Sequence, residues 1–61
     1  MLWQVERFLR KTGLTATAFG RLAAGDPRLV ADMRNGRTPR AAMERRLEHF
    51  MNTYREEQDV R

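Results

Sequence analysis

Cysteine is absent from the 61-residue chain, and histidine occurs once, as His49. Without thiols there is no disulfide framework, no thiolate zinc site and no cysteine nucleophile, and one imidazole cannot assemble a histidine-based metal cluster. A chain with no disulfide to form is expected in the cytoplasm. No apolar run approaches the roughly 18 residues of a membrane-spanning helix, and no basic-then-apolar leader is seen, so neither a span nor a signal peptide is expected. Strand-like alternation over four or more residues is missing too, as are internal repeats and low-complexity segments. A chain this short holds one small domain, whose single core supplies only roughly 3–5 kcal/mol. It offers no convincing cleft for paired acid–base chemistry, and the carboxylates of Glu44, Glu48, Glu56, Glu57 and Asp59 suit helical surfaces. No catalytic function, metal or cofactor is expected.

Charge of one sign is abundant in one region. Twelve Lys and Arg against eight Asp and Glu give a net charge of +4. Between Arg7 and Arg46 lie ten basic and three acidic residues, so that segment carries +7 and the remainder −3. Eleven of the twelve cations are Arg, whose planar fork suits phosphate oxygens and guanine edges better than the point charge of Lys. Nucleic acid is therefore the leading partner class.

Apolar spacing is helical throughout and predicts an all-α fold of four helices, approximately 2–12, 16–24, 27–35 and 39–56. In the first, Trp3, Val5, Phe8 and Leu9 recur every three to four residues up to Thr12-Gly13. Thr15 is placed to cap the second, which carries Ala18, Phe19, Leu22 and Ala23 on one face and ends at Gly25. Asp26-Pro27 combines a capping carboxylate with a residue tolerated at the first helical position, and opens the third helix with Leu29, Val30 and Met33 inward. Thr38-Pro39 repeats that logic for the fourth, where Ala42, Met43, Leu47, Phe50, Met51 and Tyr54 form a long stripe. Met33, Met43 and Met51 read as core filler and His49 as a surface or interface residue. Residues 1–55 are expected to form the domain and 56–61 a frayed polar tail.

Helices two and three, joined by the tight Ala24-Gly25-Asp26 turn, have the arrangement that presents a second helix to the DNA major groove. The run Gly13-Leu14-Thr15-Ala16-Thr17-Ala18-Phe19-Gly20-Arg21-Leu22-Ala23, followed by Val30, Met33, Asn35-Gly36-Arg37 and Pro39, resembles the phage Cro/repressor-like helix-turn-helix (XRE) family over roughly Val5 to Phe50. Ala16 departs from the family's frequent Gln, and Gly25 stands one place after the usual turn glycine. The resemblance implies a double-stranded DNA-binding transcriptional regulator, most simply a homodimeric repressor reading a palindromic operator through helix three.

With Leu29, Val30 and Met33 inward, about 100° per residue turns Arg28, Ala31, Asp32 and Asn35 outward as candidate base readers. Arg28 lies in the first turn, where base edges are normally reached, and Asp32 is placed to orient it by an i,i+4 ion pair or to accept from a cytosine amine. Phosphate contacts are expected from Thr15 and Thr17 at the start of helix two, and from Arg34, Arg37, Thr38 and Arg40, where the family's backbone contacts lie. Arg21 faces outward as a lesser contributor, and Arg45 and Arg46 suit ion pairs with nearby carboxylates. Leu47, Phe50, Met51 and Tyr54 extend the stripe of helix four beyond what the other helices cover, which predicts a dimer interface, the other arrangement being a monomer in which helix four folds back along helix one and buries Trp3. An alternative reading is an all-α adaptor or antitoxin-like module that binds a protein partner through the apolar face of helix four.

Overall fold

A computed structural model describes residues 1–54; the expected tail at 56–61 lies outside them, and the fourth helix ends at Thr53 rather than 56, because Tyr54 takes an extended conformation as its C-cap. The fold is all-helical, with α1 at Leu2–Thr12, α2 at Ala16–Ala24, α3 at Leu29–Arg34 and α4 at Ala41–Thr53. No strand occurs among the described residues. Local chemistry sets the end of α1 and both ends of α2 as the sequence predicts. The α1 terminus closes when the Gly13 N–H donates to the Leu9 carbonyl at 2.8 Å. The Thr15 hydroxyl accepts from the Ala18 N–H at 3.0 Å, which satisfies a free donor of the first turn of α2. Gly25 takes the left-handed conformation (φ 67°) that ends α2, and its N–H donates to the Arg21 carbonyl at 2.9 Å.

The other two helix starts move. Asp26-Pro27 does not open α3 but forms a separate turn. The Asp26 carboxylate accepts the Arg28 N–H at 3.0 Å, and its carbonyl accepts the Leu29 N–H at 3.1 Å. An Asp side chain that bonds its own chain two residues on closes a turn of its own. The first helical bond of α3 then runs from Asp32 N–H to the Arg28 carbonyl, at 2.9 Å. In the same way α4 begins at Ala41 rather than 39, with extended Arg40 at its N-cap and no side-chain cap. Thr38 is therefore not the cap, and the α3–α4 connection covers residues 35–40.

Val5, Leu9, Phe19, Ala23, Leu29, Val30, Met33 and Leu47 form one buried core drawn from all four helices. Beside it Phe8, Phe19, Phe50 and Tyr54 pack with ring centroids 5.5–6.2 Å apart, mostly edge to face, which joins α1, α2 and the end of α4. Leu22, expected on the inward face of α2, points to solvent and is 60% exposed, and Trp3, which belongs to the apolar rhythm of α1, is 65% exposed. Helix geometry accounts for both. Gly20 is buried and belongs to the inward face of α2, so that face is centred between Phe19 and Gly20, roughly 100° from Leu22. On α1 the inward direction runs through Val5 and Leu9, and Trp3 lies roughly 140° away. Trp3 stacks instead under the Arg7 guanidinium, 5.8 Å from its ring centroid.

One surface contact ties α1 to α3. Arg34 of α3 holds Glu6 of α1 through a two-pronged pair, Nε to Oε2 at 2.6 Å and a second guanidinium nitrogen to Oε1 at 2.7 Å. Those hydrogen bonds hold the Glu6 carboxyl below its ordinary value of 4.5, against a smaller opposing effect of desolvation and with added pull from the charges of Arg34 and Arg10. The folded state thus binds the Glu6 proton less tightly than the unfolded chain. The pair's contribution is complete above the ordinary value and disappears as pH falls through the lowered one. Urea midpoints are expected to fall on acidification below about pH 4.5 more in the native protein than in Glu6→Gln, whereas equal acid sensitivity would show that the pair contributes nothing.

Candidate nucleic-acid interface

The start of α2 and the outward side of α3 carry the candidate residues. Thr15 and Thr17 are exposed at the first turn of α2, and the Thr15 hydroxyl is engaged as the cap. On α3 the burial of Leu29, Val30 and Met33 fixes the rotation of the helix. Arg28, Ala31 and Asn35 are consequently exposed and Asp32 is half-exposed, so the four candidate base readers share the open side. Arg28 occupies the N-cap position, and its side chain makes no ion pair among the described residues.

Asp32 does not engage Arg28. Its carboxylate accepts instead from the Arg37 guanidinium at 3.1 Å, and its backbone carbonyl accepts the Arg37 N–H at 3.0 Å. The same Arg37 nitrogen lies 3.6 Å from the Asp26 carboxylate. The turn at Asn35-Gly36 brings this about, because Gly36 adopts φ 105°, a conformation that L side chains rarely take, and returns the chain over the face it has just left. Sequence reasoning missed this cluster because i,i+5 is not a helical neighbour spacing. The available signal was Asn35-Gly36, a turn pair that reverses the chain.

The remaining cations divide. Arg34, expected at a phosphate, is engaged with Glu6 of α1. Arg40 and Thr38 are exposed, and together with Arg37, Pro39, Ala42 and Met43 they line an open groove of about 470 Å³ between the α3–α4 connection and the start of α4. Arg21 is exposed on α2. Arg45 and Arg46, expected to pair with carboxylates of their own helix, form no ion pair among the described residues.

The expected interface on α4 is largely internal. Leu47 is fully buried in the chain's own core, and Phe50 packs edge to face on Phe8 and Phe19. Tyr54 lies against Phe8, and Met51 is half-buried against the core. The stripe reads as excess only if α1 is assumed to need no cover from α4. Among the described residues no group of three or more His, Cys, Asp or Glu is placed to hold a metal, and no helix is long and apolar enough to cross a membrane. No family model matches the chain, and no curated protein or solved structure matches it either.

Proposed function

We propose that this chain is a sequence-specific, double-stranded DNA-binding regulator whose α3 enters the major groove. The observation that carries the reading is the open side of α3. It presents Arg28 at the leading end, with no ion pair among the described residues, small Ala31 in the middle and Asn35 at the far end, all exposed. A major groove about 12 Å wide admits a helix of this kind, and Arg to guanine is the commonest specific contact. Exposed Thr17, Thr38 and Arg40 supply groups suited to phosphate and set register. Arg34 is left out of the DNA contacts, because Glu6 already engages its fork.

Occlusion of a promoter is the simplest action for a domain of this size. Leu47 is buried and Phe50 is half-buried against Phe8 and Phe19, so these two residues carry less of any surface that α4 offers to a second copy or to another protein. The reading therefore concerns one domain on one half-site.

Arg28 supplies the test. A preferred duplex is first selected from a random library by the native protein, and binding is then measured across its single-base-pair variants. Arg28→Ala is expected to flatten the preference at one base pair, by about 1–3 kcal/mol of discrimination, while leaving the others in place. An unchanged profile would remove Arg28 from the reading face.

A further inference from the structure

The geometry points to Arg37 as a second base-reading residue, held in place by Asp26 and Asp32, rather than as a phosphate clamp. The inference rests on the DNA-binding reading above and adds a specificity determinant to it. Arg37 follows α3 in sequence, yet it is fastened to that helix twice, by its backbone N–H on the Asp32 carbonyl and by its guanidinium on the Asp32 carboxylate. Asp26 contributes from the other end of the helix. One of its oxygens accepts the Arg28 N–H, and the other faces the same Arg37 nitrogen. Both carboxylates thus converge on one terminal nitrogen of the fork. No hydrogen bond occupies the fork's other nitrogens among the described residues, and the Arg37 side chain is 49% exposed.

Charge decides which ligand suits this arrangement. One guanidinium with two carboxylates makes a patch of net charge −1, which opposes an approaching phosphate. A guanine edge presents two neutral acceptors, O6 and N7, and gains from a fork whose plane is already fixed. Bracing also reduces the rotamer freedom that a long Arg side chain loses on binding. Arg28 and Arg37 with the two carboxylates sum to zero, so these four groups offer N–H donors to base edges without adding a general pull on the DNA backbone.

The experiment compares the native protein, Arg37→Ala, Arg37→Lys and the double variant Asp26→Asn/Asp32→Asn. Each is checked for native helicity by circular dichroism, since all the changed side chains are at least partly exposed and Asn keeps an oxygen for the Arg28 N–H. Binding to the library-selected duplex, to its single-base-pair variants and to a scrambled duplex is measured over a range of salt. Arg37→Ala and Arg37→Lys should both lose about tenfold of the preference at one base pair, and Arg37→Ala should leave the salt slope almost unchanged. The double Asn variant should bind scrambled duplex more tightly and discriminate less at that base pair. Uniform weakening on every duplex by Arg37→Ala, with a slope lower by about one ion and recovery in Arg37→Lys, would overturn the proposal in favour of a phosphate contact and leave the DNA-binding reading intact. A native protein that selects no sequence would overturn both.

Discussion

Phe19→Ala is expected to leave the chain largely unfolded at 25 °C. Phe19 is fully buried, lies 5.7 Å from the Phe8 ring and 5.5 Å from the Phe50 ring, and so joins three of the four helices. Truncating a buried Phe removes its transfer energy and leaves a cavity that neighbours fill only in part, about 3–5 kcal/mol in typical cores. The whole stability of a domain this small is of the same order. Equilibrium urea unfolding followed by helical circular dichroism measures it. Leu22→Ala is the control, because the sequence pattern puts Leu22 on the same face as Phe19 and the structure leaves it 60% exposed. Its midpoint should stay close to the native value, since exposed positions of this kind usually change stability by less than about 0.5 kcal/mol. Comparable losses in the two variants would mean that α2 is rotated from the orientation described.

Gly20→Ala should be nearly as damaging, against the helix-propensity rule. In a helix interior, alanine is ordinarily better than glycine by about 1 kcal/mol. At position 20, however, a Cβ would collide with the backbone carbonyl oxygen of Asp26, and Leu29 stands close behind it. That carbonyl belongs to the turn that sets up α3, and the Asp26 N–H donates to the Gly20 carbonyl at 3.0 Å. Backbone cannot swing aside as the tip of a side chain can, so the turn must shift and α3 with it. A net loss of about 2–3 kcal/mol follows from overpacking of this kind, and the urea midpoint reads it. Stabilisation by Gly20→Ala would show that α2 and the Asp26 turn are further apart than described. The same displacement would move Arg28, so the folded remainder of the variant should also lose DNA preference.

How far the sequence already disclosed this arrangement depends on whether the deciding interaction was local. The α2 cap by Thr15, the glycine termini at Gly13 and Gly25, and the inward set Leu29, Val30 and Met33 follow from neighbours within four residues, and they stand as expected. The start of α3 was misplaced because Asp26 had two local uses for its carboxylate, and the two-residue turn won over the helix cap. Leu22 reads as inward because it is apolar, whereas the buried glycine at position 20 sets the true face of α2. Individual partners distant in sequence are not legible from local spacing. Glu6 engages Arg34 across 28 residues, and Phe8 meets Tyr54 across the length of the fold. Those two contacts engage Arg34 with α1 and pack the end of the apolar stripe of α4 against Phe8.

Competition binding at near-physiological salt, with the native protein on a labelled duplex selected from a random library, tests the central claim most directly. A helix that reads base edges predicts that unlabelled duplex of the selected sequence displaces the label at a concentration at least about 10³-fold lower than scrambled duplex of equal length and composition. Displacement by the two at the same concentration would mean that α3 does not read DNA sequence.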